Sequence, residues 1–233
     1  MLEIEQIRAR FGADKNHFAL MDYLLSNGCE ILYAETDGVL CFYYGIHAIF
    51  GTSENGLKNC LSLIDNASCV VCSSSEEGDA TLEKFKNLSK KKACYQILYE
   101  KSFGTTLPDN TVVEVLKPTE ENVDFVTKTY TLGFSKDEIK RLMTRFDFYA
   151  TYTDGEISGY IGRHDEGSIG ILEIMPKFRR RGLGAYLVDY SIKKLLEKGE
   201  IAYCNIETQN KKSLKMHEKM GYYPSDKLVY WCV

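Results

Sequence analysis

Residues 169–198 combine three features in a fixed order: an apolar strand, a loop rich in arginine and glycine, and an amphipathic helix. The strand is predicted over Ile169–Met175. The helix is predicted over about Gly182–Lys198, with its leucine, isoleucine and valine side chains on one face. A helix of this kind packs on a sheet. The sequence therefore predicts that the first turn of the helix lies beside the end of the strand that precedes it.

The loop between this strand and helix carries the groups of an anion-binding site. The first turn of a helix has N–H groups without backbone partners and about half a positive charge. Gly182 and Gly184 leave the backbone open to close approach, and Arg179, Arg180 and Arg181 add forked donors. A phosphate or pyrophosphate suits such a site. A solvated basic turn in front of an ordinary helix would have the same residues.

Two common phosphate-binding loops do not fit this stretch. A Walker loop needs Gly-Lys-Ser/Thr, which the loop lacks, and a dinucleotide fingerprint needs a third glycine where the chain has Leu187. The chain does contain Arg179-x-x-Gly182-x-Gly184. This stretch resembles the pyrophosphate-binding motif of the GNAT superfamily of N-acetyltransferases, Arg/Gln-x-x-Gly-x-Gly/Ala.

A second motif follows at the expected distance, and it strengthens the resemblance. The chain reads Asn210-x-x-Ser213-x-x-Met216-His217-x-x-Met220-Gly221-Tyr222. This is similar to the family segment N-x-x-A/S-x-x-L-Y-x-x-L-G-F. The resemblance covers about residues 111–233 and extends to the branch of the superfamily that includes glycine N-acyltransferase.

The resemblance implies an α+β fold, in which a mixed, mostly antiparallel central sheet is flanked by helices (the acyl-CoA N-acyltransferase fold). Two Asp-Gly hairpins, at residues 33–45 and 149–162, resemble each other and indicate two tandem related halves. Two unrelated hairpins with the same turn chemistry would look alike. We predict an N-terminal α/β domain over 1–105, degenerate and acetyltransferase-like, and a GNAT-type catalytic domain over 111–233. The turn-rich stretch 102–110 is the predicted linker.

The same resemblance implies acetyl-CoA as the acyl donor. Its pantetheine arm would lie along the backbone of the strand that ends at Met175, and its pyrophosphate would bind the amides of the loop. A bulged N–H near Ile174 would bind the oxyanion. The residues implied in donor binding are Ile174, Met175, Arg179, Arg180, Arg181, Gly182, Leu183, Gly184, Ala185, Asn210 and Ser213.

Acyl transfer to an amine also needs a base for the amine and a proton for the departing thiolate. Relatives have a tyrosine acid where this chain has His217, which is either a proton donor or a spacer on its helix. The carboxylate of glycine N-acyltransferase aligns with Ser168, which leaves both the base and the acceptor open. Glu173 is either the base or a strand-edge residue facing water. His164 and Glu166 line the acceptor pocket with Ser168, or they form a polar turn.

Composition argues against nucleic-acid binding, membrane insertion and secretion as alternative classes of function. A net charge of −4 at pH 7 gives no general reason for binding nucleic acid or anionic membranes. No run approaches the roughly 20 apolar residues that span a bilayer, and the N-terminus lacks the apolar core of a signal peptide, so we expect a cytoplasmic protein. The eight cysteines lie in apolar runs that are typical of reduced core thiols, and we predict no metal site.

The sequence thus predicts an N-acyltransferase that uses acetyl-CoA and a small-molecule or peptide amine, acting as a monomer or homodimer without nucleic-acid or membrane partners. One alternative is a non-catalytic CoA-binding module, in which the changes at Ser168 and His217 have abolished transfer. Another is nucleic-acid binding through residues 177–181. The acidic total and the lack of a wider basic stripe argue against that reading.

Overall fold

The computed structural model describes all 233 residues, and the chain divides into two compact units. The first unit consists of Met1–Leu98, Asn205–Lys215 and Tyr222–Val233, and the second of Tyr99–Cys204 and Met216–Gly221. Each predicted half is one continuous stretch of sequence, whereas each of these units combines separate stretches that pack together. Residues 205–215 and 222–233, predicted within the second half, pack with the first unit.

The first half of the chain forms four helices and five strands. They are α1 (Ile4–Phe11), α2 (Lys15–Ser26), β1 (Glu30–Glu35), β2 (Gly38–Tyr43), β3 (Ile46–Phe50), α3 (Glu54–Ser62), β4 (Val70–Cys72), α4 (Ser75–Lys84) and β5 (Lys91–Tyr99). The three strands that follow α2 form an antiparallel meander, and β4 then pairs parallel to β3. None of the helices in the protein is both long enough and apolar enough to cross a membrane.

The second half opens with a strand and then repeats the same order of elements. It contains β6 (Thr111–Val115), α5 (Glu120–Thr129), α6 (Lys136–Arg145), β7 (Tyr149–Thr153), β8 (Glu156–Arg163), β9 (Ile169–Ile174), a 3₁₀ turn (Pro176–Phe178), α7 (Leu183–Glu197), β10 (Ala202–Glu207), α8 (Lys211–Lys219) and β11 (Leu228–Cys232). From α1 and from α5 alike, the elements run α-α-β-β-β-α-β-α-β. This repetition is the one expected of two tandem related halves.

The strands form two sheets, which are mostly antiparallel, as predicted. The larger has seven strands in the order β1-β2-β3-β4-β11-β5-β10, and the smaller has four in the order β6-β7-β8-β9. All neighbours in the smaller sheet are antiparallel. β9 and β10 are in different sheets. As a result, the outer edge of β9 pairs with no strand.

The core of the second unit lies between the four-stranded sheet and helices α5 and α6. It contains Leu116, Val123, Val126, Ile139, Leu142, Met143, Phe148, Ala150, Tyr160 and Ile171. Helix α7 also contacts this sheet, through β7, β8 and β9, and it buries Leu183, Leu187, Val188, Ile192 and Leu195. The amphipathic pattern read from the sequence therefore marks the packed face of α7 correctly.

The predicted linker is anchored to α7 by one carboxylate. Asp189 is buried and accepts hydrogen bonds from the N–H groups of Phe103 (2.6 Å), Gly104 (2.8 Å) and Thr105 (2.6 Å). The Thr105 hydroxyl adds a fourth bond of 2.9 Å. Burial alone would raise the pKa of Asp189, but the bonds from Thr105 and Phe103 outweigh it and hold that pKa below its usual range.

Asp189→Asn is expected to lower the free energy of unfolding at pH 7 by about 1–3 kcal/mol, because a charged acceptor of several N–H groups is lost. A carboxyl group whose pKa is depressed by folding stabilises the protein above its unfolded pKa, and that contribution disappears as the pH falls through the folded pKa. The difference between the variant and the wild type should therefore shrink below about pH 4. Urea unfolding at several pH values tests this. Asp147→Asn, at an exposed ion pair with Lys198, is the control and should change stability little.

Candidate functional site

Strand β9 contains a bulge, which interrupts its pairing with β8. Two residues of β9, Ile171 and Leu172, face the single β8 residue Ile161. Ile171 has a φ of +49°, a strained conformation for a β-branched residue. The sequence analysis expected the bulge near Ile174. That prediction was wrong by about three residues, since side-chain patterns do not show where a ladder gains a residue.

Beyond the bulge, the backbone of Ile174 faces the outer edge of β9. The N–H of Met175 donates to the carbonyl of Ser158 at 3.0 Å. Because alternate residues of a strand direct their backbone groups to opposite edges, the N–H and C=O of Ile174 point away from β8. The Ile174 carbonyl accordingly accepts a bond from Arg179 Nε at 2.9 Å. Of the two predicted donor-binding residues here, Ile174 offers its N–H to a ligand, whereas the Met175 N–H is already used.

The arginine-glycine loop turns the chain into α7 through two left-handed residues. Arg180 has a φ of +69° and Gly182, at the N-cap of α7, a φ of +84°. The first helical bond runs from the N–H of Tyr186 to the carbonyl of Gly182 at 3.0 Å. The N–H groups of Leu183, Gly184 and Ala185 bond no acceptor of the chain. These three amides, at the positive end of a helix, form an anion cradle.

The three arginines differ in their surroundings. Arg179 forms an ion pair with Glu173 at 3.1 Å, in addition to its bond to Ile174. Arg181 lies over the ring of Phe178, with 5.5 Å from its guanidinium carbon to the ring centroid. Arg180 is exposed and forms no ion pair. Arg179 therefore holds the loop against β9, and Arg180 and Arg181 leave their charges available to an anion.

Gly184 packs the first turn of α7 against β9 and α8. A Cβ atom at this position would lie 3.5 Å from Met216 Sδ, 3.8 Å from Ile174 Cγ1 and 3.9 Å from Leu172 Cδ2. These are ordinary van der Waals distances, which fits a motif that accepts glycine or alanine. The anion cradle, the outer edge of β9 and Met216 of α8 are therefore neighbours within the second unit.

The corresponding junction in the first unit, between β3 and α3, differs from this one in its side-chain contacts and its charge. The N–H of Thr52 donates to the buried carboxylate of Glu77 at 2.9 Å, and the N–H of Gly56 donates to Ser53 Oγ at 3.2 Å. Residues 51–56 also contain no arginine or lysine. Ser53 Oγ thus accepts one of the three amides that open α3, and the degenerate character of the first half stays a prediction.

Glu173 lies close to two tyrosines that the sequence analysis missed, the buried Tyr160 and the half-buried Tyr130. Its side chain is only 13% exposed, and its register partner on β8 is Tyr160. Burial raises the pKa of Tyr160 to about 12, and the charge of Glu173 contributes. Burial also raises the pKa of Tyr130 above its usual range. Both phenols thus stay protonated near neutral pH. No sequence motif predicts that these two tyrosines lie near Glu173, because α5, β8 and β9 come together only in the folded protein.

The three predicted substrate-binding residues are placed differently. Glu166 and Ser168 are buried and bonded to each other, with 2.5 Å between Ser168 Oγ and Glu166 Oε1. The Tyr203 hydroxyl donates to the carbonyl of Glu166 at 2.6 Å. The His164 ring instead covers Gly170, where a Cβ atom would lie 2.3 Å from Nε2. Their role toward a substrate stays a prediction.

The remaining predicted residues are on or next to α8. Asn210 caps this helix, since its Oδ1 accepts the N–H of Ser213 at 3.1 Å, and this bond accounts locally for the Asn-x-x-Ser spacing. His217 is buried, with Nε2 at 3.9 Å from Cys204 Sγ and its ring stacked on that of Tyr99. Whether His217 is a proton donor or a spacer on its helix stays a prediction. The donor-binding role of Asn210 and Ser213 stays a prediction.

Comparison with known proteins finds a family model and solved structures that are similar to this chain. Residues 148–232 match the family model described as FR47-like protein. A Drosophila protein solved by X-ray crystallography matches with a TM-score of 0.74 and 16% identity, over 98% of this chain and 93% of that chain. The GCN5-related N-acetyltransferase-like protein from Streptococcus suis matches with a TM-score of 0.57 and 13% identity, over 98% of both chains.

A GCN5-related N-acetyltransferase from Kribbella flavida matches with a TM-score of 0.60 and 11% identity, over 93% of both chains. A search of curated protein sequences gave no significant match. At these identities the solved structures establish the fold. The chain has the fold of the GCN5-related N-acetyltransferases, and the predicted resemblance to the GNAT superfamily and the predicted fold class are confirmed.

Proposed function

We propose that this protein transfers an acyl group, most simply acetyl, from acetyl-CoA to an amine. The observation that carries the proposal is the set of three unpaired amides at the start of α7, beside the outward-facing backbone of Ile174. A pyrophosphate group matches the amides, and an extended amide chain matches a strand edge. Acetyl-CoA has both parts.

The cradle suits an anion in charge as well as in shape. Arg180 and Arg181 lie in the loop that leads into α7, and neither forms an ion pair within the chain. The net charge of the protein is −4, so the attraction for the donor is local. The N–H of Ile174 is the donor group that we assign to the thioester oxygen as negative charge develops on it.

Transfer also requires movement of protons, for which we assign two side chains. Glu173 takes the proton of the amine, directly or through water, while Arg179 keeps its carboxylate oriented at 3.1 Å. His217 returns a proton to the departing thiolate. Tyr160 is packed beneath Glu173, with its hydroxyl bonded to Thr129 Oγ1 at 2.9 Å, so it supports the strand and is assigned no proton transfer.

Calorimetry with coenzyme A, followed by assays of thiol release with a panel of amines, tests the proposal. We expect coenzyme A to bind, and acetyl-CoA to release thiol only when a suitable amine is present. If coenzyme A does not bind, the proposal is wrong. If coenzyme A binds but no amine in a broad panel, including amino acids, polyamines and peptide N-termini, supports release, the protein is a non-catalytic CoA-binding module.

Glu173→Gln is expected to lower kcat by about 10²–10³-fold, because a positioned base is lost. The affinity for coenzyme A should hardly change, since the amides of α7 are untouched. Steady-state kinetics and calorimetry measure the two effects separately. Glu156→Gln is the control: Glu156 is likewise paired with a basic side chain, Lys177, but it is exposed, and its loss should leave kcat unchanged. Equal activity of both variants would exclude Glu173 as the base.

A further inference from the structure

Strand β6 (Thr111–Val115) lies at one edge of the four-stranded sheet, so no strand pairs with its outer side. Its side chains are apolar for an edge that faces solvent: Val112 is 54% exposed, Val115 is 53% exposed, and Val113 is half-buried. Glu114 is the only charged residue of the strand. An exposed apolar edge can pair with another chain, and natural proteins usually protect such edges with charges, proline or bulges.

Strand β1, at the edge of the larger sheet, has such protection. A bulge lies between Ile31 and Tyr33, and the N–H of Leu2 donates to the carbonyl of Ala34 at 2.7 Å. Glutamates occupy both ends of this strand. By contrast, β6 contains no proline, and its five residues pair with β7 without a shift of register. The outer edge of β6 is therefore regular enough to accept another strand.

The bonds between β6 and β7 show which backbone groups the free edge offers. The N–H of Leu116 donates to the carbonyl of Phe148 at 2.8 Å, so Leu116 faces β7. Alternate residues of a strand direct their backbone groups to opposite edges. The even-numbered residues of β6 therefore also face β7, whereas Thr111, Val113 and Val115 direct their N–H and C=O groups outward.

We propose that this edge pairs with the same edge of a second copy of the chain, antiparallel and across a two-fold axis at Val113. In this register Val113 lies opposite its own copy, and Thr111 lies opposite Val115 of the other copy. Each of these residue pairs exchanges two backbone hydrogen bonds, so all the outward groups of β6 are satisfied. The two four-stranded sheets join into one continuous sheet.

Charge complementarity favours this register over its neighbours. Asp109 and Lys117 flank β6, both are exposed, and neither forms an ion pair within the chain. With the axis at Val113, Lys117 of each copy lies opposite Asp109 of the other. An axis one residue later would place Glu114 opposite Glu114, which is unfavourable. An axis one residue earlier would leave Val115 outside the paired segment.

The proposed contact leaves the proposed donor site free. In the order β6-β7-β8-β9, β6 and β9 are opposite edges of one sheet, and the cradle and the backbone of Ile174 lie beside β9. Pairing through β6 therefore extends the sheet without covering either donor site. The inference goes beyond the proposed function and does not depend on it.

Analytical ultracentrifugation of the full chain at a series of protein concentrations is the direct test. One short strand per copy is a small interface, so we expect a reversible equilibrium in which the dimer fraction rises with concentration. Val113→Pro should weaken the dimer at least about 100-fold, because proline removes the central outward N–H and its ring blocks the opposing strand. The bonds to β7 are untouched, and circular dichroism checks that the variant is folded.

A charge exchange tests the register without relying on proline. Lys117→Glu or Asp109→Lys alone should weaken the dimer about tenfold, because each change makes two attractive pairs repulsive. The double variant restores both pairs with exchanged signs, so its dimer should be about as strong as that of the wild type. Asp109 and Lys117 flank opposite ends of β6, so this rescue requires two copies. Lys140→Glu, at an exposed lysine of α6, is the control with the same charge change and should leave the equilibrium unaltered.

The possible results separate this inference from its alternatives and from the proposed function. If the chain stays monomeric at every concentration, or if Val113→Pro and the single charge variants dimerise like the wild type, the inference is wrong. A double variant no stronger than the single ones would overturn the register and the inference with it. Coenzyme A binding, measured on the same variants, should be unchanged. Failure of the dimer therefore leaves the proposed function standing, and failure of coenzyme A binding leaves the dimer standing.

Discussion

Replacing Gly182 with aspartate is expected to weaken coenzyme A binding by at least about 100-fold, or roughly 2.7 kcal/mol, while α7 remains folded. The new carboxylate would stand beside the three amides of the cradle and repel a pyrophosphate there. A Cβ atom at position 182 meets no atom within 4 Å, so the left-handed φ of +84° is the one source of strain for the new side chain. Aspartate is among the residues that accept a φ near the observed +84°, and a negative charge is favourable at a helix N-terminus.

Titration calorimetry with coenzyme A measures this effect, and circular dichroism confirms that the helix is retained. Gly182→Asn is the matched control, since it has the same shape without the charge. Its affinity should lie between those of the wild type and the aspartate variant. If aspartate and asparagine weaken binding equally, charge at the cradle is not the cause. If neither weakens binding, the pyrophosphate site is elsewhere.

Glu77→Ala is expected to lower the free energy of unfolding by about 3–5 kcal/mol, the largest effect on stability that we predict. The Glu77 carboxylate is 2% exposed and ties the end of β3 to the start of α4. One oxygen accepts the N–H and hydroxyl of Thr52, at 2.9 and 2.8 Å. The other accepts the N–H and hydroxyl of Ser73 and the N–H of Ser74, at 2.7, 3.0 and 3.2 Å. Removing the carboxylate leaves five donors without their acceptor.

Chemical denaturation of Glu77→Ala, Glu77→Gln and Glu76→Ala tests this explanation. Glu76 is the matched control, because it precedes Glu77 on the same helix and is exposed. Its replacement should change stability by no more than about 1 kcal/mol, through the helix dipole. Glu77→Gln should be intermediate, since one amide oxygen can still accept bonds. A small effect for Glu77→Ala would show that water or a rearranged loop satisfies the donors.

The parts of the site that could be predicted are those that depend on neighbours in the chain. The cradle at Leu183–Ala185 follows from a strand, a glycine turn and an amphipathic helix in succession, and each of these is a local property. The cap of α8 by Asn210 is local too. Local patterns did not give the position of the bulge at Ile171–Leu172, because a bulge is a relation between two strands.

For the three arginines, too, the sequence predicts the local property and only the fold gives the contacts. The sequence indicates a positively charged loop, and all three arginines are exposed in the structure. Only the fold shows that Arg179 is engaged by Glu173 and Ile174, whereas Arg180 forms no ion pair. The eight cysteines looked alike in sequence, as small apolar residues of a core. Burial and partners then separated Cys60, whose pKa burial raises, from Cys204, which contacts an imidazole and a phenol.

By itself, the sequence determined the fold class, the repeated hairpins and the anion-binding turn before α7, because hydrophobic period, turn residues and helix ends are set within a few positions of the chain. The tertiary structure alone decided which strand edge stays unpaired and which buried groups meet. Tyr99, Cys204 and His217 are separated by many residues, and the composition of each segment is unremarkable. Their contacts arise only when the segments pack, as the distances of 2.8 and 3.9 Å to Cys204 Sγ show.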